Sequence, residues 1–483
     1  MYVPIKVPYA HQEEALRRLR GRRHFGLLMA MRTGKTKTVL DDFGRLEDES
    51  KVESLLVIAP AGVYHTWEKA IEDHVSVDLR ERMRVMSWVS GRTSESQLKR
   101  FLSYDGPRVF LVNIEALSVV KDAKAACVAF LSQRPTMLVI DESTAMKNHR
   151  AKRTKFIMEE LKPLAAYRRI LSGLPTPKSP LDLYTQFTFL DEGIFNCRNY
   201  YAFRARYAKM ERRFIGGRYI DLVVGYRDVD ELARLIAPHS YRVTLEDCYD
   251  LPPKIYQRRE VPLSKQQKKV YDDVKEYATA LLASGDHVST KLVIDQILKL
   301  HQIACGHVTD ENGVIHMIPH RRIDALIDLL SEHEGKTIIW CSYDVDIRAV
   351  AKAIEEMEAT PEQPDKRVPV ARFWGGNVST REEEESAFVN DPNVRYMVAT
   401  ASAGGRGRTW TCADMVVYYS NTYDLEHRAQ SEERAQGVDK VRSVLYVDMV
   451  APGTVDEKIL AALKAKINMA SAITGDDWKE WLE

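Results

Sequence analysis

The sequence predicts an α/β fold with parallel sheets and helices on both faces. Short, continuously apolar runs, typical of strands buried inside a parallel sheet, occur at residues 55–60, 109–113 and 137–140. Stretches with helical spacing of apolar residues separate these runs. The chain of 483 residues is also too long for one ordinary core, so two or three domains are expected.

The composition excludes several classes of protein. Charged residues make up 29% and hydrophobic residues 45%, the balance of a globular protein. The formal net charge of +1 means that any basic footprint for nucleic acid must be local. The six cysteines are scattered without a C-x-x-C pair, so neither a zinc site nor a disulfide framework is expected. No apolar run reaches the ~18 residues of a membrane helix and no signal-peptide pattern is present, which predicts a cytoplasmic protein without membrane contact.

Residues 27–36 read as a buried strand, a tight turn and the start of a helix. This arrangement makes an anion cradle, because backbone N–H groups and the helix dipole face a bound phosphate. Lys35 would supply a positive charge to the β- and γ-phosphates, and the Thr36 hydroxyl would ligate Mg²⁺. Met29 replaces the first glycine of the usual phosphate-loop pattern, so the loop needs a partner acid to be convincing.

That partner follows the apolar run at residues 137–140, which ends in Asp141 and Glu142. Carboxylates at the C-terminal end of a parallel strand lie where such sheets bind ligands. Asp141 would hold the Mg²⁺ that bridges the phosphates, and Glu142 would orient and deprotonate the attacking water. Together with Lys35, these acids predict a nucleoside triphosphate site.

The second half of the chain repeats the strand–helix alternation without a phosphate loop. Strands are predicted at residues 337–341, 396–400 and 415–419, and helices at 321–330, 345–357 and 381–388. Residues 402–409 combine glycines with Arg406 and Arg408. Glycines would let the backbone approach a phosphate or another lobe closely, whereas a flexible basic loop is the simpler alternative.

These motifs, in this order, resemble those of superfamily-two helicases and translocases, and within them the Snf2-like branch. The resemblance rests on Gln12, residues 31–36, Ala59-Pro60 through Trp67, Asp141 to Thr144 with Lys147-Asn148, Leu171 to Pro177, Leu251 to Lys254, and Leu263-Ser264 with Gln267 and Tyr271. It implies two tandem RecA-like lobes with ATP and Mg²⁺ between them. The expected division is an N-terminal lobe at 1–245 with a helical insertion near 180–245, a helical connection at 246–320, and a C-terminal lobe with C-terminal helices at 321–483.

The resemblance also implies roles for individual residues. The catalytic residues would be Lys35, Asp141, Glu142 and Arg434, and the metal ligands Thr36 and Asp141. The ATP-binding residues would be Gln12, Arg32, Thr33, Gly34, Lys35, Thr36, Gly405 and Gly407. Ser172, Gly173 and Gln430 would couple the lobes, and Trp67, Asn113, Lys147, Gly375, Ser402 and Arg406 would contact nucleic acid.

The chain departs from its relatives at Gly437, where the family's Q-x-x-x-R-x-x-R motif ends in an arginine finger. Such an arginine contributes about 10³–10⁵ to turnover, so the replacement matters. Three interpretations stay open. Arg434 alone suffices with slower hydrolysis, another arginine (Arg406, Arg408 or Arg442) reaches the γ-phosphate, or the protein binds ATP and hydrolyses it poorly.

Contacts with a polymer must be sought in local features. Basic clusters at residues 152–155, 204–206, 212–213 and 265–269 could follow a phosphate backbone, although solvated helix faces are the commoner reason for such clusters. The many aromatic residues between 195 and 245 resemble the helical protrusion of Snf2-like proteins, and most of them are expected to be packing residues.

The resemblance favours a monomeric motor that translocates on double-stranded DNA. Single-stranded DNA and RNA are the alternative substrates. A strand-separating helicase is the alternative within the same fold. An ATP-switched scaffold with weak hydrolysis, caused by Gly437, is the alternative of another class. By analogy, so compact a two-lobe motor is typical of phage and bacterial genomes.

Overall fold

The computed structural model describes residues 2–61, 64–215, 218–283, 290–359, 363, 365–404, 409–438 and 440–474. The chain divides into two compact units. The first holds most of the chain up to Asp250, and the second holds most of the residues from Leu251 to Asn468 together with Met210–Val224. Each unit contains its own parallel sheet, which confirms the predicted α/β fold class.

The strands before Asp250 form one large sheet and a separate two-stranded ribbon. In chain order they are β1 (His24–Met29), β2 (Ser54–Ala59), β3 (Arg84–Ser87), β4 (Arg108–Asn113), β5 (Thr136–Ile140), β6 (Tyr167–Leu171), β7 (Ala208–Ile215), β8 (Arg218–Tyr226) and β9 (Ser240–Val243). The sheet has seven strands in the order β3-β4-β2-β5-β6-β1-β9, and neighbouring strands are parallel throughout. β7 and β8 form the ribbon.

Helices connect these strands and cover the sheet. They are α1 (Ala10–Leu19), α2 (Lys35–Asp48), α3 (Tyr64–His74), α4 (Val77–Arg82), α5 (Glu95–Leu102), α6 (Ala116–Val119), α7 (Lys121–Gln133), α8 (Lys152–Phe156), α9 (Leu183–Leu190), α10 (Tyr200–Tyr207) and α11 (Val229–Ile236). The apolar runs that predicted strands are buried along their whole length in β2 and β5. Strands covered on both faces need such continuous runs.

The strand order places the two predicted halves of the nucleotide site near each other. β5 and β1 both pair with β6, so only one strand separates them. Because the strands are parallel, the loop after β1 and the turn after β5 leave the same edge of the sheet. The phosphate loop follows β1, and Asp141 with Glu142 follows β5.

The second unit has its own six-stranded sheet. Its strands are β10 (Ile255–Glu260), β13 (Lys336–Trp340), β14 (Val370–Phe373), β15 (Tyr396–Ala399), β16 (Ala413–Tyr418) and β17 (Leu445–Val450), while β11 (His307–Thr309) and β12 (Ile315–Met317) form a small hairpin. The order is β10-β17-β16-β13-β15-β14, and neighbouring strands are again parallel. The helices after Leu251 are α12 (Lys265–Ala283), α13 (Thr290–Cys305), α14 (Arg322–Ser331), α15 (Asp344–Glu356), α16 (Arg381–Asn390), α17 (Ala401–Gly404), α18 (Leu425–Glu432) and α19 (Val455–Thr474).

Two segments that were expected to be helical are helical only in part. Residues 180–245 contain the β7–β8 ribbon and β9, which forms an edge of the first sheet. The ribbon sequence is rich in aromatic and β-branched residues, which favour strands. Within residues 246–320, β10 pairs with β17 and so belongs to the second sheet. Among the described residues, no helix is long and apolar enough to cross a membrane.

Candidate functional site

The loop between β1 and α2 turns sharply through two left-handed residues. Arg32 has φ 63° and Gly34, the N-cap of α2, has φ 84°. The left-handed angle favours glycine, and a Cβ atom on Gly34 would lie 2.2 Å from the Gln12 side-chain nitrogen, so the Gln12 amide would have to move. Thr33 is buried and its hydroxyl donates to the Ala30 carbonyl at 2.7 Å, which tightens the loop.

Gln12 and His11 hold this loop from α1. The Gln12 amide donates to the Thr33 carbonyl at 3.1 Å, and its oxygen accepts from the Tyr9 backbone N–H at 3.2 Å. His11 Nε2 lies 2.8 Å from the same Thr33 carbonyl. The His11 ring is stacked with Tyr9 and meets Tyr249 edge-on, with ring centroids 5.9 Å apart in both pairs. The sequence prediction included Gln12 and missed this aromatic group.

Lys35 and Thr36 form the first turn of α2, directly after Gly34. The Lys35 ammonium donates to the carbonyls of Met29 at 2.9 Å and Ala30 at 3.1 Å, so its positive charge lies over the loop. Both side chains are half-buried. The backbone N–H groups of this turn lack intrahelical partners, which gives the loop its affinity for anions.

Asp141 lies at the end of β5 and is only 7% exposed. One of its oxygens accepts from the Trp67 indole N–H at 2.8 Å and the other from the Glu142 backbone N–H at 2.9 Å. Burial raises the pKa of Asp141, while the Trp67 hydrogen bond, the charge of Lys35 and the Glu142 hydrogen bond oppose that rise. The electrostatic effect of Lys35 indicates that the two predicted residues lie close together.

The assignment of Trp67 to nucleic-acid contact needs correction. Its side chain is fully buried, with 0% exposure, so it has no surface to offer a polymer. The indole N–H can only donate, and here it donates to Asp141 inside the fold. Trp67 therefore holds the orientation of the acidic side chain. A sequence motif does not specify which way a ring points, so the resemblance alone could not predict this burial.

The turn after Asp141 connects to the segment predicted to couple the lobes. Glu142 has φ 46°, a left-handed angle that is uncommon outside glycine and often marks a functional turn. The neighbouring Ser143 hydroxyl donates to the Gln186 side-chain oxygen at 2.6 Å, and the Gln186 amide donates to the Pro175 carbonyl at 2.7 Å. Gln186 was missed, although a polar residue within the apolar sequence of α9 was the available signal.

Ser172 and Gly173 follow β6 and lie beside β1. The Ser172 backbone N–H donates to the Leu27 carbonyl at 3.2 Å, and its hydroxyl accepts from the Leu174 N–H at 3.2 Å. Arg242 of β9 donates to the carbonyls of Gly173 at 2.7 Å and Leu28 at 2.9 Å. Arg242 thus connects the predicted coupling segment with the strand that leads into the phosphate loop, and sequence reasoning did not identify it.

The remaining predicted contacts in the first unit are less buried. The Asn113 side-chain oxygen accepts from the Ala116 N–H at 2.6 Å and so stabilises the turn after β4. Lys147 is half-buried, one residue beyond the 3₁₀ turn that contains Ser143. Neither geometry distinguishes a polymer contact from a structural role, so both assignments stay predictions.

In the second unit, a pocket of about 120 Å³ opens at the carboxyl ends of three parallel strands, β13, β15 and β16. Its polar lining comprises Ser342, Thr400, Ser402, Ser420, Asn421, Thr422, His427, Arg428 and Ser431. Ser402 is exposed, as is Gly375 after β14. The other predicted residues of this region, Gly405, Arg406 and Gly407, lie outside the described residues, as does Arg408.

The motif that ends at Gly437 begins with Gln430 in the last turn of α18 and continues beyond the helix. Arg434 is 4% exposed, and its Nε donates to the Gln430 carbonyl at 2.8 Å. Arg428, one turn into α18, is fully buried and donates to Asp448 at 2.5 Å and to Glu432 at 2.6 Å.

This buried ion group fixes the helix. Burial alone would lower the pKa of Arg428, but the negative charge of Asp448 and contacts with Tyr418 and Glu432 raise it well above its ordinary value. The sequence prediction missed the group. Arg442, one of the arginines considered in place of Gly437, has an exposed side chain.

The acid beside the phosphate loop suits Mg²⁺. Each Asp141 oxygen accepts one described hydrogen bond, and a carboxylate oxygen has two lone pairs, so each can accept one further ligand. Mg²⁺ usually takes one or two protein oxygens together with phosphates and water. Within the described part of the chain, no cluster of three or more His, Cys, Asp or Glu residues could hold a metal by itself.

Two protein-family comparisons match the chain. The SNF2-related domain matches residues 11–308, and the Helicase conserved C-terminal domain matches residues 321–436. The first match covers more than half of the chain.

Individual relatives are distant. The chain is 27% identical over 392 residues to human TATA-binding protein-associated factor 172, covering 70% of this chain and 21% of that protein. It is 24% identical over 439 residues to the mouse DNA annealing helicase and endonuclease ZRANB3, covering 88% of this chain and 38% of that one. The chain therefore spans about a fifth and about two fifths of the lengths of these relatives.

A solved structure, the Sulfolobus solfataricus SWI2/SNF2 ATPase core in complex with dsDNA, is 21% identical. The likeness covers 100% of this chain and 96% of that one, with a TM-score of 0.43. A second solved structure, the Sulfolobus solfataricus SWI2/SNF2 ATPase core domain, is also 21% identical, with a TM-score of 0.40.

Proposed function

The chain belongs to the SNF2-related family, and we propose on that premise that it is a DNA-stimulated ATPase that moves along duplex DNA. The movement would serve remodelling, repair or recombination of DNA. The observation that carries the proposal is the grouping of Lys35 and Asp141 at one edge of the first sheet, where Lys35 affects the titration of Asp141. Such an edge is where parallel sheets bind phosphorylated ligands.

The residues around the loop divide the work. The N–H groups at the start of α2 and the Lys35 ammonium bind the phosphates. Gln12 supports ATP binding by holding the loop at the Thr33 carbonyl, and the Tyr9–His11–Tyr249 group offers aromatic faces on which the adenine would stack. Arg32 and Thr33 complete the loop.

The bound metal would supply the Lewis-acid chemistry, polarising the γ-phosphoryl group and neutralising its charge. Asp141 and the Thr36 hydroxyl would hold it. Glu142, on its left-handed turn, orients the attacking water and accepts its proton. The Trp67 hydrogen bond opposes the rise in the pKa of Asp141 that burial causes, and so favours the ionised carboxylate that a metal needs.

Contacts to DNA would be made mainly to the backbone. Asn113, Lys147, Gly375, Ser402 and Arg406 remain candidates for these contacts. Backbone contacts carry no base code, so binding should tolerate sequence and weaken with salt. Ser172, Gly173 and Gln430 would transmit the state of the nucleotide to these contacts.

A scaffold that binds ATP without efficient turnover is the second candidate. Gly437 favours it, because a glycine has no side chain with which to neutralise the transferring phosphoryl group. The retention of Lys35, Asp141 and Glu142 favours the motor instead. A strand-separating helicase would share every one of these residues and differ only in what it does to the duplex.

The decisive measurement is ATP turnover with no polymer, double-stranded DNA, single-stranded DNA and RNA at one salt concentration. The motor on duplex DNA predicts the largest stimulation by double-stranded DNA. Stimulation by RNA alone would overturn the proposal. Equal, near-zero turnover in all four conditions, with ATP binding intact, would favour the scaffold.

A triplex-displacement assay separates the motor from the helicase. A translocating motor releases a third strand from duplex DNA when ATP is present, and the duplex stays paired. Strand separation instead releases a labelled strand of the duplex itself. Glu142→Gln should abolish either signal while ATP still binds, because the charge that activates water is lost and the phosphate loop is intact.

A further inference from the structure

The β7–β8 ribbon carries a group of exposed aromatic and basic side chains that the nucleotide site does not use. Phe214 is 62% exposed and Tyr219 is 64% exposed. The ribbon sequence contains four basic residues (Lys209, Arg212, Arg213 and Arg218) against two acidic ones (Glu211 and Asp221), in a chain whose net charge is only +1. The ribbon is therefore a local basic feature in a chain that has almost no net charge.

The two rings form an ordered group with an arginine. Phe214 and Tyr219 lie edge to face, with ring centroids 5.1 Å apart and planes 65° apart. The Arg212 guanidinium lies 4.8 Å from the centroid of the Tyr219 ring. Arg212 and Phe214 are two residues apart on β7 and therefore share one face of the ribbon. We call these three side chains the ribbon cluster.

Other aromatic residues of the same segment behave differently. Phe195, Phe203 and Tyr207 are at most 1% exposed and pack against one another, as expected for packing residues. The ribbon cluster instead keeps large apolar rings in solvent. Phe214 and Tyr219 stay 62% and 64% exposed although they contact each other and Arg212, so ring surface remains accessible to a ligand.

We propose that the ribbon cluster binds unpaired bases of DNA by stacking, while the charges of Arg212 and Arg213 on β7 hold the adjoining phosphates. The inference rests on the proposed action on DNA and adds a preference for sites where a duplex adjoins single-stranded DNA. Phosphate binding alone would need only the charges. Open aromatic faces beside an arginine add affinity for bases, since every base presents a π-face.

The chemistry favours nucleic acid over a protein partner. A protein that recognised Phe214 and Tyr219 would need an apolar pocket and would gain nothing from the surplus of positive charge. Unpaired bases with their phosphates match both features at once. Stacking is also sequence-tolerant, which fits a motor that reads no base code.

The test uses the full chain with Lys35→Ala, so that DNA binding is measured without turnover. Binding is compared for a blunt duplex, the same duplex with a single-stranded tail, and a single strand, with 2-aminopurine placed in the unpaired region. The ribbon variant is Phe214→Ser with Tyr219→Ser. The control is Tyr277→Ser, another exposed tyrosine, which lies on α12.

The unaltered ribbon should bind tailed duplex more tightly than blunt duplex and quench the 2-aminopurine fluorescence by stacking. The ribbon variant should lose about tenfold affinity for tailed DNA, lose the quenching, and change less than about twofold on blunt duplex. The Tyr277 variant should behave like the parent. Equal affinities of the parent for tailed and blunt DNA would overturn the inference. So would a ribbon variant whose affinity for tailed DNA and 2-aminopurine quenching match those of the parent, or a ribbon that binds a protein and no unpaired bases. If the parent binds no DNA at all, the proposed function itself fails.

Discussion

The loop after β1 and the motif on α18 are stabilised in opposite ways. Around the loop, separate hydrogen bonds hold the candidate site. Gln12 donates to the Thr33 carbonyl, Lys35 to the loop carbonyls and Trp67 to Asp141. Beside the other motif, the buried Arg428 forms ion pairs with Asp448 and Glu432. The expected catalytic arginine position is Gly437. The loop region contains both its candidate catalytic side chains and the contacts that hold them. The region around α18 has its buried contacts, but it has glycine where the family motif has arginine.

The largest expected effect tests the first region. Lys35→Ala removes the charge over the loop, and turnover should fall by about 10³-fold, as for the loss of other groups that stabilise a transition state. Steady-state ATP hydrolysis with duplex DNA measures the loss. Lys51→Ala is the control, because Lys51 is an exposed lysine whose ammonium pairs with Glu49, another exposed residue. Undiminished turnover in the Lys35 variant would remove the loop from the active site.

The second prediction compares the buried ion pairs of the two units. Arg169 is fully buried and donates to Asp42 and to backbone carbonyls, whereas Arg428 has two carboxylates, Asp448 and Glu432. Removing one partner of a buried pair costs about 3–5 kcal/mol, because the other charge is left buried. Arg428→Met should lower the free energy of unfolding more than Arg169→Met, because two buried carboxylates lose their guanidinium, whereas Asp42 keeps its ion pair with Arg45. Urea denaturation of both variants checks this, and a smaller loss for Arg428→Met would contradict it.

The third prediction restores the missing group. Gly437→Arg should raise DNA-stimulated turnover by at least about tenfold, within an upper limit of about 10³–10⁵ for a complete arginine finger. Gly437→Lys is the matched control, because it adds a charge without the planar fork that binds a phosphoryl group. Single-turnover hydrolysis measures the chemical step directly. If both variants match the parent, another arginine already serves the γ-phosphate, and the contrast between the two regions is one of sequence only.

The smallest expected effect concerns the pH dependence of the first region. The hydrogen bond from Trp67 lowers the pKa of Asp141 against the effect of burial, so Trp67→Phe should raise that pKa further. Because the ionised carboxylate holds Mg²⁺, the acid limb of the turnover profile should move to higher pH, by about one unit for a hydrogen bond to a charged group.

Trp88→Phe is the control for that shift. Trp88 is also buried, and its indole N–H has no hydrogen-bond partner among the described residues. Its profile should match the parent. A shift of equal size in both variants would mean that loss of packing, and not the hydrogen bond to Asp141, changes the titration.

The sequence alone determined the strands, the phosphate loop and the acidic turn. Continuous apolar runs predict strands buried on both faces, and the Gly34-Lys35-Thr36 spacing is local, so a short stretch of chain contains the whole signal. The family motifs located Trp67 and Ser172 as well. These features depend on neighbours in sequence and can be read without knowing what surrounds them.

Only the tertiary structure decided which way the side chains point. It turned Trp67 inward to Asp141, joined Arg242 to Gly173 and Gln186 to Ser143, and buried Arg428 between two acids. It also left Phe214 exposed on a ribbon where packing was expected. Each of these outcomes joins residues far apart in sequence or depends on what covers a surface. Hydrogen bonding and burial are set by three-dimensional neighbours, which residue type and spacing do not specify.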